Sequence, residues 1–220
     1  MRVLNLYAGI GGNRKLWEDI EVTAVELNPE IAAIYKDLYP NDIVLVEDAH
    51  EYLLNNYQDY DFIWASPPCP SHSGTNHFLN AQGIIRYPDM ELYQEILLLK
   101  HFFKGKYVIE NVKPYYTPLI PAQKCGRHLF WSNFRIPNIK SDKQIGRMNG
   151  KQKDLGMIQA KLRQNNLDKL GFDLSKYEYP DKDKLLRNCV VPEIGLTILN
   201  CARNIITKQN TEQLDIFDGN

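Results

Sequence analysis

The sequence predicts an α/β fold: a mostly parallel sheet flanked by helices, with a small basic insertion late in the chain. Three observations predict it. Short apolar runs bounded by turn residues alternate with helix-length segments through the first half, as in strands that crossover helices bury on both faces. A chain of 220 residues with 44% apolar and 24% charged residues can bury one core, and its composition excludes a disordered chain, a fibre or a coiled coil. The formal net charge of −1 conceals an asymmetry, because residues 138 to 187 carry 12 Lys+Arg against 7 Asp+Glu while residues 1 to 137 carry 12 against 16. A polyanion would meet the basic segment first.

In chain order, the predicted strands are Val3 to Tyr7, Val22 to Glu26, Ile43 to Glu47, Asp61 to Ala65 and Tyr107 to Asn111. Between them the pattern predicts helices over Gly12 to Asp19, Pro29 to Leu38 with proline in its first turn, and Met90 to Phe103 with Leu92, Ile96, Leu99 and Phe103 on one stripe. After Asn111 a proline-rich stretch (Pro114, Pro118, Pro121) leads to HLFW and FRIP, two short strands near the sheet edge. Residues 138 to 185 are read as a small basic lobe with one helix around Lys153 to Gln164, and Pro192 to Lys208 as a closing helix. The expected organisation is a catalytic domain of 1 to 137 with 186 to 208, the lobe between them, and a flexible tail over 209 to 220.

No run of 18 apolar residues occurs and the first residues enter a strand with no tripartite leader, so a soluble cytoplasmic protein without a membrane segment is expected. Cys69, Cys125, Cys189 and Cys201 are widely spaced with no C-x-x-C pair, which predicts neither a metal site nor a disulfide framework.

The first strand runs into Ala8-Gly9-Ile10-Gly11-Gly12, where glycines let the backbone turn tightly and approach a ligand. Glu26, ending the next strand, stands where a carboxylate would take two ribose hydroxyls, and Asp48 beyond the third strand could hold an adenine amino group. This spacing predicts an adenosine cofactor without choosing NAD or another; the third glycine of the dinucleotide fingerprint is missing. The fourth strand ends in Ser66-Pro67-Pro68-Cys69-Pro70, at the crevice where open α/β sheets bind ligands. Prolines on both sides of Cys69 fit a core position poorly and a displayed nucleophile well. The next strand ends in Glu110-Asn111-Val112, so an acid would face the same crevice.

The order LYAGIGG, Glu26, Asp48, PPCP, ENV, Arg127 and RNCVVP resembles the cytosine-5 DNA methyltransferase family over residues 1 to about 137 and 186 to 206. The resemblance implies a Rossmann-like methyltransferase fold with S-adenosylmethionine as cofactor and DNA as substrate. It implies that Cys69 attacks carbon 6 of a flipped cytosine, that Glu110 protonates the ring, that Arg127 steadies the base, and that Ser71 to Tyr87 closes over it. Tyr7 would stack on the adenine, Gly9, Gly11 and Gly12 would surround the methionine and sugar, and Pro68 would sit at the methyl-bearing end. Asn188 and Val190 would complete the pocket.

Several positions depart from the family pattern. Asn5 replaces the usual Asp and Tyr7 the commoner Phe; QKCGRHLFW secures only Arg127, leaving a second arginine absent or supplied by Arg135; Arg187-Asn188 replaces Gly-Asn. The space for a target-recognition domain is about 50 residues, which implies either relaxed specificity through backbone contacts or recognition by a partner. Methylation of RNA or free nucleotides, or a catalytically weak homologue that binds DNA, is the alternative. Finally, Gln213-Leu214-Asp215-Ile216-Phe217 resembles the bacterial sliding-clamp-binding motif, with Gln213 for a pocket rim and Leu214, Ile216 and Phe217 for apolar subsites. A monomeric protein of bacterial or phage origin, recruited to DNA by a clamp, is the expectation.

Overall fold

The computed structural model describes residues 1–126, 128–137 and 170–205. Among these a seven-stranded sheet runs in the order β3-β2-β1-β4-β5-β7-β6. Its strands are β1 (Arg2–Leu6), β2 (Glu21–Val25), β3 (Ile43–Leu45), β4 (Phe62–Ala65), β5 (Lys106–Val112), β6 (Gln123–Cys125) and β7 (His128–Ser132). The five through β5 are parallel, and β7 pairs antiparallel with both β5 and β6. The helices are α1 (Pro29–Leu38), α2 (Ala49–Asn56), α3 (Asn76–Ala81), α4 (Glu91–Phe102), α5 (Lys182–Asn188) and α6 (Pro192–Ala202).

Alternate strand residues feed two cores. Val3, Val22, Phe62, Trp64, Val108 and Phe130 pack with α1, α5 and α6. Leu4, Leu6, Val25, Ile63, Ala65, Tyr107 and Ile109 pack with α2 and α4. The period of two along each strand and burial on both faces account for the uninterrupted apolar runs in the sequence. Leu170, Phe172 and Leu174, within the segment read as a basic lobe, are buried in the first core. Lys15 holds them there: its ammonium donates to the carbonyls of Leu170 and Gly171 and lies over the Phe172 ring.

The structure corrects the element reading in four places. Gly12 to Asp19 is a succession of turns, Gly11 N–H to Ala8 O, Arg14 N–H to Gly11 O and Trp17 N–H to Arg14 O, and Asp19 has a φ of 55°. A helix is prevented by tertiary contacts: Asn13 turns inward to exchange amide hydrogen bonds with buried Asn5, and Arg14 is drawn to Asp42 by two bonds of 2.8 and 3.0 Å. The face that a β1–β2 helix would cover is covered by α6, whose Gly195 lies so near Asn13 that a Cβ would stand 2.2 Å from its carbonyl oxygen. Second, FRIP is not a strand; Gln123–Cys125 is, because Gly126, with a φ of 58°, lets the chain reverse tightly between β6 and β7. Third, Ala49–Asn56 is a helix, capped by the Asp48 side chain accepting from Glu51 N–H. Fourth, α6 is described to Ala202 and followed by a turn. The stretch Lys182–Ala202 reaches a mean hydropathy of 1.2, but more than half of its apolar window is buried in the protein. The helix expected near Lys153 lies outside the described residues.

Candidate active site

The strand order reverses between β1 and β4, and the loops leaving those two neighbours open the crevice at the carboxyl edge of the sheet. On the β1 side, Tyr7 and Gly9 both have left-handed φ values, 56° and 55°. Nothing lies within 4 Å of where a Gly9 Cβ would be, so the loop presents bare backbone to open space. Glu26 shapes this loop from the next strand: its Oε2 accepts from Gly9 N–H at 2.9 Å and its Oε1 from Asn28 N–H at 3.0 Å. Each oxygen keeps lone-pair capacity for further donors. Asp48, exposed just beyond β3, uses Oδ1 to cap α2.

Tyr7 is fastened from behind. Its hydroxyl donates to Glu95 Oε1 at 2.5 Å, and His50 Nδ1 lies 3.0 Å from the same oxygen. Glu95 is fully buried, and its Oε2 has no partner among the described residues. Burial raises the Glu95 pKa against the lowering pull of His50 and Tyr7, the hydrogen bond to Glu95 raises that of His50, and burial first, then Glu95, raises that of Tyr7. Glu95 therefore explains why the aromatic is Tyr: a phenol there has an acceptor and a Phe would leave the carboxyl with one partner fewer. The Asn5 departure has a similar cause, since an amide both donates to and accepts from Asn13.

Gly11 and Gly12 make close contacts within the protein. A Cβ on Gly11 would meet the Tyr39 and Tyr35 rings at 2.4 and 2.8 Å, and one on Gly12 would meet Cys189 Cβ and Val190 O at 2.7 Å. Through Gly12 the late block containing exposed Asn188 and buried Val190 seats on the loop. Buried Cys189 donates to Leu185 O, and burial pushes its thiol up to about 12, so it is not a nucleophile.

On the β4 side, Ser66 to Pro70 leave the strand with Pro68 exposed and Cys69 half-buried. The turn beyond is closed by His72 and Ser73 N–H groups donating to Cys69 O. Buried Asn76 donates to Pro70 O at 2.9 Å. His72 Nδ1 lies 2.6 Å from the Tyr116 hydroxyl, and Tyr115 N–H donates to His72 O, so the loop carrying Cys69 is stitched to the chain that follows β5. Burial lowers the His72 pKa, keeping the ring neutral. Glu110 is the last but two residue of β5 and 8% exposed. Ala65 pairs with Ile109, and Asn111 Nδ2 donates to Pro67 O at 3.0 Å. The structure thus brings the Cys69 segment and Glu110 to one place. Asn111, His72 and Asn76 are the locking residues that sequence reasoning missed; the only signal was their position inside the ENV and post-PPCP segments.

The segment Ser71 to Tyr87 contains α3 and carries exposed Phe78, Ile84, Ile85 and Tyr87. Arg127 and Gln213, Leu214, Ile216 and Phe217 lie outside the described residues.

An α/β sheet with an open glycine-bearing loop, a carboxylate on the second strand and a displayed thiol at the reversal of strand order defines a methyltransferase that uses an adenosine-containing donor. Residues 1–117, more than half of the chain, match the family described as C-5 cytosine-specific DNA methylase. The chain belongs to that family, and its methyl donor is S-adenosylmethionine. No curated protein matches the chain. Among solved structures it is similar to a DNMT2 variant from Spodoptera frugiperda, at 26% identity over 54% of this chain, with a TM-score of 0.38. It is also similar to the methyltransferase EhMeth from Entamoeba histolytica, at 12% identity over 69% of this chain and 61% of that one, with a TM-score of 0.40. The chain spans 37% of the DNMT2 protein's length.

Proposed function

We propose that this methyltransferase acts on cytosine in DNA through a covalent adduct with Cys69. The observation that carries the reading is the tie between the two reactive segments: Asn111 of the ENV strand holds Pro67 by 3.0 Å, setting Cys69 and Glu110 on adjacent strand ends. Cys69 attacks carbon 6 of a cytosine swung out of the duplex while Glu110 gives a proton to ring nitrogen 3, making carbon 5 nucleophilic. S-adenosylmethionine supplies the electrophilic methyl group. The open face at Gly9 and the spare acceptor capacity of Glu26 fit the donor; Glu26 would take its ribose hydroxyls, Asp48 its adenine amine, and Tyr7 its ring. Loss of the carbon-5 proton to solvent then expels the cysteine, and the nitrogen-3 proton returns to Glu110.

Catalytic residues thus come from 1 to 137 and the pocket is completed from 186 onward, with the basic excess of 138 to 187 meeting phosphates. The test is methyl transfer from labelled donor to duplex DNA, single-stranded DNA, RNA and dCMP. Transfer to duplex DNA, with trapping of the protein on 5-fluorocytosine DNA, is expected; transfer to RNA or dCMP alone rejects the DNA reading. The Gln213 to Phe217 segment is proposed to bind a bacterial sliding clamp, raising local concentration on DNA. Clamp binding by the full chain and none by Gln213→Ala/Phe217→Ala is the expected result; equal binding by both, or none by either, rejects it.

A further inference from the structure

Across the β5–β7 pair, His128 Nε2 lies 3.4 Å from Glu110 Oε1. The register creates this contact. Val112 stands opposite His128 and Glu110 opposite Phe130, so Glu110 and His128 rise on one face, a diagonal step apart. Their side chains are only 10% and 11% exposed, and the Phe130 ring meets the imidazole edge-on at 6.4 Å. A carboxyl and an imidazole this close and this sheltered from water act on each other more strongly than a surface pair. Among the described residues, the titratable groups facing His128 from the flanking strands are Glu110 on β5 and Cys125, its register partner on β6; Lys124 pairs with Leu129 and belongs to the other face.

We propose that His128 is a positioning residue for the acid. It donates its Nε2 hydrogen to Glu110, orients the carboxyl toward the target ring, and stabilises the carboxylate formed when the proton leaves. The inference rests on the reading of Glu110 as the acid in cytosine methylation. In that step the Sγ–C6 bond forms, the C5=C6 π pair moves onto the ring, and the Glu110 proton passes to nitrogen 3, leaving one negative charge on the carboxylate. The His128 N–H meets that charge and keeps its own proton. After methyl addition at carbon 5 and release of the carbon-5 proton to solvent, the Sγ–C6 bond breaks and the nitrogen-3 proton returns to Glu110. Both the neutral Nε2–H tautomer and the imidazolium can donate, and a contact of 3.4 Å without substrate has room to shorten as charge appears.

The experiment has two readouts on the full chain. Without DNA, NMR follows the His128 ring titration in wild type and in Glu110→Gln; removing the carboxylate should move it to lower pH. With 5-fluorocytosine duplex, the rate of covalent adduct formation is compared among wild type, His128→Ala and His128→Gln. Alanine should slow adduct formation about 10- to 100-fold with cofactor affinity unchanged, the cost of one hydrogen bond to a charged group. Glutamine, which retains a donor, should recover most of the rate. An unchanged ring titration, a full-speed alanine variant, or a loss that glutamine fails to recover would overturn the proposal. If wild type itself forms no adduct, the DNA reading falls, and the ring titration still decides whether the Glu110–His128 pair exists.

Discussion

On the cofactor side of the crevice most polar groups answer to near neighbours in sequence: Glu26 to Asn28, Asp48 to Glu51, Asn5 to Asn13. On the base side they reach across the chain, Asn111 to Pro67, His72 to Tyr116, His128 to Glu110. The difference teaches which half can be damaged locally. Loss of one carboxylate on the cofactor side should weaken binding and cost one or two local backbone hydrogen bonds, while the strands stay paired. Loss of one group on the base side removes part of the reaction or loosens two strands at once.

The largest effects are therefore expected at Cys69 and Glu110. Cys69→Ser should abolish methyl transfer, since an alcohol is a far weaker nucleophile than a thiolate at neutral pH, while cofactor affinity by calorimetry stays within about twofold. Glu110→Gln should slow transfer by about 10²–10⁴-fold, because an amide can hydrogen-bond the ring but cannot deliver a proton. Normal turnover by the serine variant would break the comparison at its base.

Next comes the loop between the halves. Gly12, which the family resemblance sets beside the cofactor, also packs against Cys189 and Val190. Gly12→Ala should cost about 1–3 kcal/mol, lowering the melting temperature by roughly 2–12 °C whether or not the cofactor is present. A variant with wild-type melting and weakened cofactor binding alone would show that Gly12 serves the cofactor and not the packing. Glu26→Ala should lower cofactor affinity about 10- to 100-fold and, because the Gly9 and Asn28 N–H groups lose their acceptor, should also lower the melting temperature of the free protein by a few degrees.

The contrast also explains what was legible in the sequence. The parallel strands, α1, α4, the place of Glu26 just past β2 and the neighbouring strands that carry Cys69 and Glu110 could be read because apolar periodicity, strand ends and short spacings are local signals. The turns at 12 to 19 could not, because Asn13 and Arg14 are decided by Asn5 and by Asp42, which lies beyond α1. Glycines after a strand suggest ligand contact, while Gly12 and Gly195 are small because α6 and the late block press on the loop from the far end of the chain. His72, Glu95 and His128 carried no motif of their own, and their roles depend on partners 44, 88 and 18 residues away, Tyr116, Tyr7 and Glu110.

Tyr7 is a second place where the cofactor side relies on a distant group, and it yields the smallest expected effect. Glu95 and His50 both hold their protons more tightly in the folded protein than in the unfolded chain, whose ordinary values are 4.5 and 6.5. For Glu95 the cause is burial, and for His50 it is chiefly the hydrogen bond to Glu95. A folded state that binds more protons is stabilised at low pH and loses that stability as pH rises through the folded values. The contribution is thus fully present below about 4.5 and declines across the range above the two ordinary values. Glu95→Gln removes one titration and the main cause of the other, while its amide oxygen still accepts from Tyr7. Its melting temperature should therefore vary less with pH than that of wild type, with the two curves converging or crossing as pH rises. Each tenfold of proton affinity gained on folding is worth about 1.4 kcal/mol, or about 2–4 °C at this chain length. Parallel curves from pH 4 to pH 9 would show that Glu95 and His50 gain no proton affinity on folding, and that the group behind Tyr7 acts through its hydrogen bond alone.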